Sequence, residues 1–164
     1  MTVRTGAWLT AVILVLGVAG RAEAQVRTVT VTVPAGVAFS VVDVAATTTG
    51  SPAPSQVLWS APTNFPAARR LRISVRADTV NFAGPGTTRI AANKVSWTAT
   101  ASSGTPSNGT LSSAAYTVLY LSNTNLVPAN SGTVSITWKL APVAAVGLRS
   151  GAHTLTARWR FEAF

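Results

Sequence analysis

Residues 133–140 (TVSITWKL) alternate one polar and one apolar side chain along their whole length. Successive side chains of a β-strand point to opposite faces, so this period of two is typical of a strand that buries one face. Residues 71–77 (LRISVRA), 94–101 (KVSWTATA) and 153–161 (HTLTARWRF) repeat the pattern. The chain is therefore predicted to be an all-β protein.

Further strands are predicted on either side of these. They are residues 29–33, 37–46, 56–60 and 115–122, the last with apolar residues on both faces, as expected for a central strand that is covered on both sides. Segments rich in Gly, Pro and Ser, such as 50–55 and 102–113, separate them as loops. Some eight or nine short strands and no comparable helical period indicate a single Greek-key or immunoglobulin-like β-sandwich.

Residues 1–24 have the organisation of a signal peptide. Arg4 precedes the uncharged apolar residues 7–20, and Ala22-Glu23-Ala24 has the small-x-small pattern of a cleavage site. An uncleaved membrane anchor is the alternative, but about 14 residues at ~1.5 Å each reach only ~21 Å of the ~30 Å hydrocarbon core. We expect a sandwich domain over residues 25–164, without a transmembrane segment, that is secreted or on the cell surface, with the periplasm as a further location.

The chain is strongly basic, with 13 Lys and Arg against 4 Asp and Glu, one His and no Cys. Loss of Arg4, Arg21 and Glu23 with the leader leaves 11 basic and 3 acidic residues, a net charge of +8. An exported domain without Cys is typical of bacterial surface proteins. The charge predicts attraction to polyanions, which there are teichoic or teichuronic acids, lipopolysaccharide, anionic polysaccharide and extracellular DNA.

Groups that could support catalysis are few and separated in sequence. After the leader, the carboxylates and imidazole are Asp43, Asp78, His153 and Glu162 alone, and no G-x-S-x-G motif is present. Without Cys or clustered carboxylates, neither a zinc nor a calcium site is expected. The sequence predicts no catalytic residue, cofactor or metal, and leaves a small-ligand binder or a hydrolase with an unrecognised site as a weaker alternative.

Arginines occupy the polar positions of two predicted strands. Arg70, Arg72 and Arg76 share one face of the first, and Arg158 and Arg160 share one face of the second. If the strands are neighbours, these five side chains form a positive stripe suited to phosphate and carboxylate groups. Alternatively, they keep the sandwich soluble and prevent edge-to-edge pairing. The expected absence of an outward aromatic argues against a specific nucleic-acid platform.

The tryptophans raise the possibility of a carbohydrate platform. Trp97, Trp138 and Trp159 are each in phase with the apolar positions of their strands, so burial in the core is the favoured interpretation. Trp59 lies in a short segment between loops and is expected to be partly exposed.

Residues 70–161 resemble the WxL-type surface domains of bacterial cell-wall proteins. Residues 136–140 (ITWKL) match the aliphatic-Thr-Trp-x-Leu pattern of that family, and residues 157–161 (ARWRF) repeat it loosely, with Phe for Leu and no Thr before Trp. The upstream order LRISVRA, NFAGPG and KVSW is similar too. The resemblance implies non-covalent attachment to the wall, with peptidoglycan or a secondary polymer as partner, and supplies no catalytic residue.

Together these features predict a secreted, non-enzymatic bacterial surface protein that associates with the cell envelope through its basic surface. The alternative is a structural subunit of a fibre, pilus or surface coat. In that case residues 26–33 would be donated to a neighbouring copy or to another surface protein by strand addition.

Overall fold

The structure, a computed structural model, describes residues 29–61, 69–123, 125–126, 129–143 and 148–164. The predicted signal peptide, residues 1–24, lies outside the described residues. Within these ranges no helix combines the length and apolar character needed to cross a membrane.

The described chain is built almost entirely of short strands, and the prediction of an all-β fold is confirmed. The strands are β1 (Thr30–Thr32), β2 (Thr48–Thr49), β3 (Ser55–Ser60), β4 (Leu71–Ala77), β5 (Val95–Ala101), β6 (Thr105–Pro106), β7 (Gly109–Thr110), β8 (Thr117–Leu121), β9 (Ser131–Leu140) and β10 (Ala157–Ala163). A single turn of 3₁₀ helix, Ala92–Lys94, precedes β5. These ten strands exceed the predicted eight or nine because three of them have only two residues.

Two antiparallel sheets pack against each other as a sandwich, as predicted. The first has the order β1-β3-β9-β5-β7, with β2 also pairing with β9, and the second has the order β10-β4-β8-β6. From β3 onward, successive strands alternate between the two sheets, so neighbours in a sheet are distant in sequence. Crossing connections of this kind are typical of Greek-key sandwiches.

The core lies between the inward faces of the two sheets. Alternate residues of β4 and β9 point into this core, and each is at most 5% exposed: Leu71, Ile73, Val75, Ala77, Val134, Ile136, Trp138 and Leu140. These are the apolar positions of the period-two pattern. The alternation in the sequence therefore corresponds to the two faces of each sheet.

Tryptophan rings join the sheets inside this core. The ring of Trp138 lies 5.5 Å from that of Trp97 and 6.3 Å from that of Trp159, the latter in an edge-on arrangement. The indole N–H of Trp138 donates to the hydroxyl of Ser55 (2.9 Å), which is also buried. Burial is thus observed for Trp97 and Trp138, whereas Trp159 on the edge strand β10 is half-buried.

Two local predictions are wrong. Residues 37–46 form no strand, because the side chain of Asp43 accepts a hydrogen bond from the backbone N–H of Ala45 and the chain turns there. Trp59 is 3% exposed rather than partly exposed. It occupies an inward position of β3, opposite Gly132 of β9, whose missing side chain makes room for the indole ring.

The prediction for β8 is correct only in part. The strand is central, since it lies between β4 and β6, but Val118 on its outer face remains 37% exposed. A register shift against β4 between Ile73 and Ser74 places Leu119 and Tyr120 both inside the core.

Candidate functional site: a basic face on the second sheet

The arginine-bearing strands β4 and β10 are neighbours. Their register places Arg76 opposite Arg158, and Arg72 opposite Glu162. The alternate residues of both strands point to the core, so the arginines project from the outward side of the second sheet. We call the set Arg72, Arg76, Arg158 and Arg160 the basic face.

Arg70 differs from the other four arginines because backbone carbonyl groups accept hydrogen bonds from its guanidinium group. Its Nε donates to the carbonyl oxygen of Ser122 (3.1 Å) and its Nη2 to that of Asn123 (2.5 Å). The guanidinium group thereby holds the segment that follows β8. Arg70, which the sequence assigned to the stripe, is already engaged by the fold.

Two carboxylates lie against the four guanidinium groups of the basic face. Glu162 contacts Arg160 (2.5 Å) and Arg72 (3.6 Å), and Asp78 forms an ion pair with Arg158. The hydrogen bond from Arg158 lowers the pKa of Asp78 below its usual value of 3.8 and raises the pKa of Arg158. Because two carboxylates face four guanidinium groups, the basic face keeps an excess of positive charge.

Aromatic rings accompany the basic face, so the expectation of none is wrong. The guanidinium carbons of Arg76 and Arg160 lie 5.0 and 5.5 Å from the ring centre of Tyr116, and that of Arg72 lies 4.5 Å from the ring of Phe164. These distances are those of cation–π contacts. Because guanidinium groups cover the rings, the arrangement differs from the open stacking platforms that bind single-stranded nucleic acid.

Sequence reasoning missed Tyr116 as a member of this face. Its apolar neighbours in residues 115–122 suggested a strand with both faces covered. The pairing of Val75 with Thr117 brings Tyr116 beside the arginines of β4, and no local signal in the sequence indicates that pairing.

Arg76 has the fewest polar contacts on the basic face. It forms no ion pair with a carboxylate of the described residues, although its charge contributes to lowering the pKa of Asp78. Its Nε is buried and makes no hydrogen bond. Because this Nε cannot reach an external anion, Arg76 contributes its positive charge to the basic face.

The four side chains that could support catalysis each have their own partner elsewhere in the fold. Asp43 caps its own turn, Asp78 and Glu162 pair with arginines, and the Nε2 of His153 donates to the carbonyl oxygen of Arg149 (3.0 Å). Over the described ranges, no three His, Cys, Asp or Glu side chains come together in a way that could hold a metal ion. The chemistry that the basic face itself can perform is the binding of anions.

No family model, no curated protein and no solved structure matches this chain. The resemblance to WxL-type domains therefore stays a prediction. Of the motif residues that carry it, Ile136, Trp138 and Leu140 are buried in β9, and Trp159 and Phe161 are half-buried in β10.

Proposed function

We propose that the protein is a secreted, non-enzymatic bacterial surface protein that associates with the cell envelope through its basic face. One observation carries this proposal: β4 and β10 present four guanidinium groups on one outward face against two carboxylates. The proposed partner is an anionic cell-envelope polymer or peptidoglycan. Wall attachment of WxL-type domains agrees with this choice.

The geometry suits a polymer with repeated negative charges. Arg72 and Arg76 are four residues apart on one strand, which separates their backbones by ~13 Å, and adjacent strands lie ~4.8 Å apart. Guanidinium groups bind phosphate and carboxylate through two parallel hydrogen bonds. The contacts with Glu162 and Tyr116 restrict the long side chains, so less conformational entropy is lost on binding.

The test is co-sedimentation of the purified protein with isolated cell-envelope polymers over a series of salt concentrations. We expect binding at low salt that weakens steeply as salt rises, because exposed charges are screened within ~10 Å at 0.1 M salt. A protein that stays in the supernatant at low salt would contradict the proposal.

Asp78 limits the charge of the basic face, so Asp78→Asn is expected to strengthen polymer binding at low salt. The substitution removes a negative charge and releases the Arg158 guanidinium. The difference from the original protein should disappear at high salt. Asp43→Asn is the matched control, since it removes the same charge from an exposed turn; equal strengthening by both variants would contradict a role for the face.

The same ion pair predicts a pH dependence of stability. Because the pKa of Asp78 is lowered in the folded protein, its contribution is present above the unfolded value of 3.8 and is lost as pH falls through the folded pKa. Both partners are solvent-exposed, so the effect on stability is small. Polymer binding rather than acid denaturation is thus the informative measurement for this residue.

Strand addition is the second candidate function. Its donated segment would include β1, which in the structure pairs with β3 of its own chain and buries Val31 in the core. This pairing supports a self-contained domain. If deletion of the segment gave a folded core that recaptured the strand as a peptide, assembly by strand addition would be favoured instead.

A further inference from the structure

Strand β10 is an edge strand of the second sheet. On one side β4 pairs with it in an unbroken register over all seven residues, and on the other side no strand of the described residues pairs with it. The opposite edge of the same sheet is the two-residue strand β6. A long, regular edge presents a row of backbone groups that can pair with another chain. β10 is therefore the main open edge of this sheet.

The hydrogen bonds to β4 show which backbone groups of β10 face the open side. Phe164 and Arg70 exchange both backbone hydrogen bonds (3.0 and 2.7 Å), and the carbonyl oxygen of Thr156 accepts one from the N–H of Asp78 (2.9 Å). Successive residues of an antiparallel strand alternate between its two sides. The even-numbered residues therefore bond to β4, and the backbone groups of the odd-numbered residues between them point away. In the described part of the chain, nothing accepts from or donates to those groups.

Aromatic side chains line the open edge. The rings of Trp159 and Phe161 are stacked with their centres 6.4 Å apart, and both side chains are only half-buried. Phe164, directly after the strand, is 44% exposed. Covering such rings removes apolar surface from water, which favours association. The edge thus offers both main-chain hydrogen bonds and apolar area to a partner.

The charges on the outward side of β10 follow the order Arg158, Arg160, Glu162. If a second copy pairs antiparallel about a two-fold axis at Phe161, Arg160 lies opposite the partner's Glu162, and this contact occurs twice. An axis at Trp159 or at Arg160 places arginines opposite each other, and an axis at Glu162 does the same with glutamates. Opposite charges across a strand pair are stabilising and like charges are destabilising. The sequence of charges therefore favours the register that is centred on Phe161.

Arg160 can form this contact without losing the one in its own chain. Its Nη2 donates to the Oε1 of Glu162 (2.5 Å), while its side chain remains 52% exposed. A guanidinium group has five N–H donors, so others remain for a second carboxylate. In this register the two residues form a pair without main-chain hydrogen bonds, in which the Cα atoms are only ~4.5 Å apart.

We propose that β10 pairs with β10 of a second copy in this register, so that the two second sheets become one continuous sheet. Phe161 then exchanges main-chain hydrogen bonds with the partner's Phe161, and Trp159 with the partner's Ala163. Arg158 lies opposite the partner's Phe164, where its guanidinium group covers the exposed ring. Because residues opposite each other point to the same side of a sheet, both basic faces lie on one side of the dimer.

This inference goes beyond envelope association and does not depend on it. Failure of salt-dependent polymer binding would leave the dimer intact, and the reverse also holds. It differs from strand addition as well, because no segment leaves its own chain.

The direct test is analytical ultracentrifugation of the purified protein at ~0.15 M salt, where repulsion between two basic molecules is screened beyond ~8 Å. The contact covers one strand edge only, so we expect a weak monomer–dimer equilibrium with a dissociation constant of roughly 10–100 μM. A protein that sediments as a monomer at roughly 1 mM would overturn the proposal.

Arg160→Glu distinguishes this register from an effect of net charge. The substitution makes the protein less basic, so a dimer limited by overall repulsion would become stronger. In the proposed register it places carboxylates opposite each other twice, so we expect dimerisation to weaken at least about tenfold. Arg160→Glu combined with Glu162→Arg restores both the opposed charges and the original net charge, and should restore the dimer. A single variant that dimerises as well as the original protein, or a double variant that stays monomeric, would overturn the proposal.

Ala163→Pro removes a backbone donor from the open side of β10 alone. The N–H of Ala163 points away from β4, and proline is tolerated in edge strands where the missing N–H faces outward. We expect an unchanged midpoint of urea denaturation and loss of the dimer. Ala163→Ser keeps the N–H and is the matched control, which should dimerise as the original protein does. A proline variant that dimerises normally would show that β10 is not the contact, and a large loss of stability would show that this N–H does not face the open side.

Discussion

Trp138→Ala is expected to lower the free energy of unfolding by about 3–5 kcal/mol, the cost of removing a large aromatic side chain from a core. The ring contacts those of Trp97 and Trp159 and lies between the two sheets on the longest strand, β9. The free energy of unfolding of a small domain is ~5–15 kcal/mol, so this loss is a large share of the total stability. Urea denaturation followed by circular dichroism measures it.

Two further variants test the hydrogen bond and the ring burial separately. Ser55→Ala leaves the Trp138 indole N–H buried without its acceptor and should cost about 1–3 kcal/mol. Trp159→Ala removes a ring of the same size from a half-buried position and should cost less than Trp138→Ala. An unchanged free energy of unfolding in Trp138→Ala would contradict the burial of its ring in the core.

Strands that bury one face and are paired on both edges could be predicted from sequence because their side chains alternate strictly. This is the case for β4, β5 and β9. The two-residue strands β2, β6 and β7 could not, since two residues carry no period. The strand predicted over residues 37–46 is wrong for a different reason. Val42 lies in a bend and is fully exposed, so apolar character alone does not indicate a strand.

The sequence alone predicts which side of each strand carries the arginines of the basic face. It does not predict which strands pair. Alternation places the arginines on one side of β4 and of β10, but only the antiparallel register brings Arg76 opposite Arg158. Contacts such as Tyr116 with Arg160, and Arg70 with the carbonyl of Ser122, depend on where β8 lies.

The double variant Arg76→Gln with Arg160→Gln is expected to weaken binding of an anionic envelope polymer about thirtyfold at low salt. A cationic side chain close to an anionic surface contributes about 1 kcal/mol, and 1.4 kcal/mol corresponds to a factor of ten. These two guanidinium groups flank Tyr116 at the centre of the basic face. Co-sedimentation at several salt concentrations measures the loss, which should shrink as salt rises.

Lys94→Gln with Lys139→Gln is the matched control. It lowers the net charge by the same amount, and both lysines are exposed, one at the turn before β5 and one on the outward side of β9 in the first sheet. Because the first sheet lies across the core from the basic face, this variant should retain most of the binding. Equal losses in the two double variants would show that net charge attracts the polymer from any direction. A loss confined to Arg76 and Arg160 would instead locate the contact on the second sheet, with unfolding curves of both variants checking that the fold is intact.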